Sequence, residues 1–172
     1  MKEMFAFDLI RASGKEFELI ELTATEKLKV LLQDGDLLFA RTSVDPSGVG
    51  KCAIVFCGDD EITYDSNIIR VRLESTKSYP PYYCYYFMSS MGKKLIQSIA
   101  GGAAITTIKG SDLVNLSVPV PPLETQRKIA SVLSAYDDLI ETNTKRIQAL
   151  EESAQALYRE WFVEFRFPGH ED

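Results

Sequence analysis

The sequence predicts an α+β protein: a mixed domain over residues 1–120, one long helix over 121–167 and a short tail at 168–172. Three observations carry that prediction. Short apolar runs such as Leu37-Leu38-Phe39-Ala40 and Cys52 to Phe56 lie between Gly/Asp turn clusters, the pattern of buried strands. Pro119-Val120-Pro121-Pro122 then breaks the chain. Beyond it a helical pattern runs from Glu124 to Phe165 with no Pro or Gly inside.

Each element follows from its local residues. Phe17-Glu18-Leu19-Ile20-Glu21-Leu22 alternates weakly, as a strand does, and Thr25 to Leu32 suits a short helix. Gln33-Asp34-Gly35-Asp36 is a turn leading into the Leu37 strand. Arg41 to Lys51, rich in Ser, Gly and Pro, reads as a flexible loop with a basic tip. Cys52 to Phe56 and Ile68 to Leu73 are strand-like, with a Gly-Asp-Asp turn between them. Pro80-Pro81 suits a first helical turn, so Tyr82 to Ser90 starts a helix. Met91 to Ile96 starts or continues a second, and Gly101-Gly102 ends it. Ala103 to Lys109 reads as an exposed Thr-rich segment, and Leu113 to Val118 as a final short strand.

From Leu133 the long helix carries a stripe at alternating steps of three and four: Leu133, Tyr136, Ile140, Asn143, Ile147, Leu150, Ala154, Leu157 and Trp161. That is a heptad seam with one polar position. A helix of about 40 residues rises roughly 60 Å, too far to bury its stripe against a small domain. It needs a partner helix. Asn143 either fixes register in that pairing, since a mismatch strands its amide, or sits at an edge that water reaches.

Composition bounds the class. A hydrophobic fraction of 45% is that of a folded chain, and no apolar run approaches the roughly 20 residues of a membrane span. The opening MKEMFAFDLIRASGKE has no signal-peptide pattern, so the expected location is cytoplasmic. Net charge is −6, which opposes indiscriminate nucleic-acid binding. The charge is uneven, however. Residues 41–110 hold eight basic against six acidic residues, while 121–172 hold six against ten. A locally basic domain suffices for phosphate contact. Cys52, Cys57 and Cys84 fit small buried hydrophobes better than a zinc site, with His170 as the sole histidine.

Three motifs invite chemistry and fail it. Ser47-Gly48-Val49-Gly50-Lys51 resembles a phosphate-binding loop, but Asp45 and Cys52 stand where Gly and Ser/Thr are required. Tyr79-Pro80-Pro81-Tyr82 resembles the Asn/Asp-Pro-Pro-Tyr motif of amino-methyltransferases. Its tyrosine cannot accept the target amino group's hydrogen bonds, and no Gly-rich cofactor loop follows a strand, so helix initiation is the better reading. The aromatic run Tyr82, Tyr83, Tyr85, Tyr86 and Phe87 is capable of stacking on bases, but at helical spacing it favours packing. No nucleophile–histidine pair or nuclease carboxylate cluster is present, so no active site is expected in this chain.

Several segments together resemble the DNA-specificity subunits of type I restriction–modification systems. They are Gly35-Asp36 through Arg41 with the loop to Lys51, Met88 to Lys93, Gly101 to Ile108, and above all Leu116 through the prolines to Ala130. The resemblance continues into Leu157-Tyr158-Arg159-Glu160-Trp161-Phe162-Val163-Glu164-Phe165. Members of that family carry two target-recognition domains, each followed by a long helix. The helices pair antiparallel as a spacer between two DNA half-sites. This chain resembles one such half or a fragment, with a shortened opening and an end like a connector.

The resemblance implies a non-catalytic subunit that reads a half-site in double-stranded DNA. It implies pairing of the long helix, through Leu133, Tyr136, Ile140, Asn143, Ile147, Leu150, Leu157 and Trp161, with a second copy or half-subunit. It also implies S-adenosylmethionine on separate modification (methyltransferase) subunits and ATP/Mg on translocating restriction subunits, with no cofactor here. For DNA contact the loop chemistry favours Arg41, Thr42, Ser43 and Lys51, then Thr106, Thr107 and Lys109. The competing reading is a protein–protein assembly module that never touches DNA. A methyltransferase reading rests on Tyr-Pro-Pro-Tyr alone.

Overall fold

The computed structural model describes residues 9–11, 18–102 and 105–169. The chain divides into two compact units, Met1–Ala130 and Ser131–Asp172. Its strands are β1 (Leu9–Arg11), β2 (Leu37–Ala40), β3 (Thr42–Ser43), β4 (Cys52–Phe56), β5 (Ile68–Val71) and β6 (Thr106–Thr107). The helices are α1 (Ala24–Val30), α2 (Pro80–Met88), α3 (Ser90–Gln97), α4 (Gly110–Val114) and α5 (Leu123–Tyr158), the last followed by a π-helical turn over Arg159–Val163.

The main sheet has the order β1-β4-β2-β5. β2 lies antiparallel to β4, with Leu37 opposite Ile54, and to β5, with Ala40 opposite Ile68; β1 joins β4 in parallel. Side chains alternate between faces along each strand. Leu37, Phe39, Cys52 and Ile54 therefore share one face, packed with Tyr82, Tyr83, Cys84 and Phe87 of α2 and Ile96 of α3. Leu38, Ala40, Ala53 and Val55 share the other, with Ile10, Leu32, Cys57 and Ile68. Covering both faces is why β2 and β4 read as unbroken apolar runs. The aromatic run of α2 is mainly core: the Phe87 ring meets Phe39 edge-on at 5.0 Å between centroids. All three cysteines are buried and outside any disulfide, and burial pushes the Cys57 thiol up.

Local chemistry sets the element ends. Thr23 caps α1 in a reciprocal box with Glu26, whose carboxylate accepts from the Thr23 N–H at 2.9 Å. Ser89 closes α2 and opens α3, its Oγ accepting from the Gly92 N–H at 3.2 Å. In the turn before β2, Gly35 takes φ +85°, and Asp36 behind it is 1% exposed. Two bonds of 2.7 Å from Arg72 hold the Asp36 carboxylate, which also accepts from the Gln33 N–H at 2.9 Å.

Several expectations need correction. Residues 18–22 form no strand; Leu19 and Ile20 are exposed, so the alternation there buries nothing, and Phe17 lies outside the described residues. Residues 113–118 are not a strand either. The Lys109 carbonyl accepts from the Asp112 and Leu113 N–H groups, both at 3.1 Å, and winds α4 instead. The α-helix of 36 residues ends at Tyr158, not Phe165. Beyond it the Arg159 carbonyl accepts from Glu164 in a π turn, and Phe165 turns left-handed at φ 55°. Arg166 closes that end with two 2.7 Å bonds to the Glu160 carboxylate, which they hold below its ordinary range.

The first turn of α5 is tied to the domain by Gln126, which is 0% exposed. Its Oε1 accepts from the Tyr79 N–H at 2.8 Å, while its Nε2 donates to the Lys77 and Pro121 carbonyls at 2.9 and 2.8 Å. Tyr83 adds a hydroxyl bond of 3.3 Å to the Pro119 carbonyl. The proline run is thereby fixed against α2, whose own start at Pro80 accounts for the Tyr-Pro-Pro-Tyr motif.

Candidate nucleic-acid interface

β2 delivers the chain to the site. Past Ala40 the backbone reaches Arg41 and then β3, which pairs antiparallel with β6: Thr42 faces Thr107 and Ser43 faces Thr106. The pairing is reinforced on both sides. The Arg41 carbonyl accepts from the Ile108 N–H at 3.0 Å and from the Thr107 hydroxyl at 3.1 Å. Gly101 and Thr107 exchange two backbone bonds, of 3.0 and 2.8 Å, across the outer edge of β6.

This ribbon brings together two loops chosen from sequence alone. Arg41, Thr42 and Ser43 meet Thr106 and Thr107 directly. Lys109 follows, exposed, at the cap of α4. Lys51 stands beside β2, its carbonyl accepting from the Ala40 N–H at 3.0 Å, with its side chain half-buried. The Thr-rich segment departs from the exposed stretch the sequence predicts, for Ile108 is 0% exposed; residues 103 and 104 lie outside the described residues. A short paired strand with one anchor beneath it replaces the open loop.

The 41–51 loop is likewise better anchored than its Gly/Ser composition suggests. Val49 and Gly50 are buried, and the Gly50 N–H bonds the Ala40 carbonyl at 2.7 Å. Gly50 has φ +69°, and a Cβ there would lie 2.0 Å from Ile96 Cγ2, so only glycine fits. At the tip, Asp45 accepts from the Ser47 N–H at 2.9 Å and its hydroxyl at 2.7 Å. These bonds, the backbone one foremost, hold the Asp45 carboxyl below its ordinary range.

A third segment, missed in the sequence, joins them. The Arg41 N–H donates to the Asn67 carbonyl at 2.7 Å, and its guanidinium reaches the Ser66 carbonyl at 3.4 Å. The Thr42 hydroxyl donates to Asn67 Oδ1 at 3.3 Å. Asp65 shapes this turn by accepting from the Asn67 N–H at 2.6 Å. Asp-Ser-Asn is legible as an Asx turn, but nothing local to it reveals that it abuts Arg41.

In the second unit the seam side chains lie along α5 and are open in the isolated chain: Tyr136 is 63% exposed, Ile140 64% and Leu150 69%. Leu133, Asn143, Ile147 and Leu157 are exposed as well. Trp161 belongs to the π turn, so the three-four spacing that places it after Leu157 no longer holds there. Among the described residues no helix is long and apolar enough to cross a membrane. Among them, too, no group of three or more His, Cys, Asp or Glu side chains is placed to hold a metal ion.

The first unit thus carries a doubly covered sheet with a short Thr-rich ribbon following β2, and the second carries a long helix with an exposed apolar seam. The family profile for the type I restriction modification DNA specificity domain matches residues 8–152, and the chain belongs to that family. It is 39% identical over 84 residues to the type I restriction enzyme MjaIX specificity subunit of Methanocaldococcus jannaschii, covering 49% of this chain and 19% of that one. The HindI specificity subunit of Haemophilus influenzae is 29% identical over 139 residues, or 80% of this chain and 30% of its own length. The chain thus spans less than a third of these curated relatives.

Two solved structures share the fold. The HsdS subunit from Thermoanaerobacter tengcongensis aligns at TM-score 0.51 and 21% identity, over 81% of this chain and 35% of that one. The type I restriction–modification S subunit from M. genitalium aligns at 0.54 and 18% identity, over 91% and 38%.

Proposed function

We propose that this chain is the DNA-recognition part of a cytoplasmic type I restriction–modification complex and reads one half of a bipartite site. The observation that carries the reading is the β3–β6 pairing. It gathers Arg41, Thr42, Ser43, Thr106 and Thr107 on one short ribbon, with Lys51 and Lys109 at its flanks. Arginine and lysine suit phosphates and guanine edges, and threonine hydroxyls suit either. The ribbon is the reader, and the uncovered seam of α5 is the means of pairing with a second copy or half-subunit. A symmetric pair reads an inverted site.

Chemistry falls to partners in this reading. Methylation belongs to modification subunits holding S-adenosylmethionine, and cleavage to ATP-dependent restriction subunits. The test is the salt dependence of duplex DNA affinity for the wild type and the Arg41→Ala/Lys51→Ala double variant. Each lost phosphate contact lowers the slope of log affinity against log salt by about 0.9. An unchanged slope would overturn the assignment and return the chain to the class of assembly modules.

A further inference from the structure

Asn67 belongs to none of the segments that sequence motifs single out, yet the fold seats it against the ribbon. Its backbone is fully committed: its N–H bonds Asp65 Oδ1 at 2.6 Å, and its carbonyl accepts from Arg41 at 2.7 Å. Its side chain is held at one point only, where the Thr42 hydroxyl donates to Oδ1 at 3.3 Å. Among the described residues no acceptor takes a hydrogen bond from Nδ2, and the residue is half-buried rather than enclosed. An amide with a fixed backbone, one anchored oxygen lone pair and two unspent N–H donors is poised to bind something outside the protein.

We infer that Asn67 is a specificity-determining residue that reads an adenine edge in the major groove, with Thr42 positioning its amide. The inference rests on the DNA-binding reading above. Asparagine pairs with adenine through two bonds, Nδ2–H to N7 and N6–H to Oδ1. The second needs an Oδ1 lone pair that Thr42 does not occupy, and a carbonyl oxygen has two. Thr42 orients the plane of the amide before DNA arrives, so less side-chain freedom is lost on contact. Arg41, bonded to the same turn through the Asn67 and Ser66 carbonyls, lies beside it in the fold to hold the phosphate backbone while Asn67 reads the base. A purely structural Asn67 would shape the turn behind Arg41 and leave base preference alone. The two roles therefore differ in a measurable way.

The experiment is selection and sequencing of random duplex DNA bound by the full chain in its native complex. Wild type, Asn67→Ala, Asn67→Asp and Thr42→Val are compared. Wild type should require adenine at one position. Asn67→Ala should relax that position by about ten- to a hundred-fold, and the others should stay fixed. Asn67→Asp keeps the acceptor for Thr42 and loses both donors, so preference there should move toward cytosine, whose N4 amino group donates. A misfolded variant cannot produce that gain. Thr42→Val should relax the same position to a lesser degree.

Unchanged preferences in Asn67→Asp, or a uniform loss of binding across all sequences, would overturn the inference while the DNA-binding reading stands. Sequence-independent binding by the wild type would overturn both.

Discussion

Arg72 clasps Asp36 through two bonds of 2.7 Å, one residue beyond the Leu37–Val71 pair where β2 begins and β5 ends. Asp36 is 1% exposed and Arg72 is 42% exposed at its side chain, so the carboxylate has left water and the guanidinium has only partly done so. The bonds to Asp36 also raise the Arg72 pKa, keeping the cation fixed. The Gly-Asp step before β2 thus has a physical meaning: glycine supplies the turn and aspartate the anchor.

Arg72→Met strands that buried carboxylate against the single Gln33 N–H. Breaking a buried pair costs about 3–5 kcal/mol, and the partial exposure of Arg72 lowers the expected loss to about 2–3 kcal/mol. Urea denaturation followed by fluorescence measures it. A loss under half a kilocalorie would show the pair to be ornamental.

Gly50→Ala tests whether the 41–51 loop is built on the core. The new Cβ must displace Ile96 and accept φ +69°, so the expected destabilisation is on the order of 3 kcal/mol. Ser47→Ala, at the exposed tip, should change stability by less than about 0.5 kcal/mol. Equal effects at the two positions would mean that the loop is uniformly loose.

The seam predicts self-association. Sedimentation should give a dimer at micromolar concentration, and Ile147→Asp with Leu150→Asp should return it to a monomer. The domain's thermal transition should be unaltered, because both side chains lie in the second unit and are exposed in the single chain. A wild-type monomer would refute pairing with a second copy.

Gln126→Leu removes three hydrogen bonds from an interior position and leaves main-chain groups at 77, 79 and 121 unmatched. Each orphaned group costs about 1–3 kcal/mol when water cannot reach it. Since the three sites are only partly covered, a total of about 2–4 kcal/mol is expected, read by denaturant midpoint.

The sheet was legible because β2 and β4 are apolar on both faces and bounded by turns, a signal confined to a few consecutive residues. The long helix was legible from a different local signal, a three-four apolar period uninterrupted by Pro or Gly. What escaped were features defined by distant partners. Thr106 and Thr107 look solvated until β3 is set beside them, and residues 113–118 mimic a strand although among the described residues no strand edge receives them. Gln126 hides among Glu124, Thr125, Arg127 and Lys128, where a polar residue draws no notice; its burial comes from the fold alone. Of the candidate site, residue chemistry picked out two loops, and only the fold set them side by side and added the Asp65–Asn67 turn.

Every atom that Gln126 binds belongs to the main chain. No side chain at 77, 79 or 121 therefore has to change in step with it. The neighbours of this joint can exchange their side chains without touching its three bonds, whereas an exchange at 126 removes all of them. The joint depends on one amide and is indifferent to the side chains of the residues it holds.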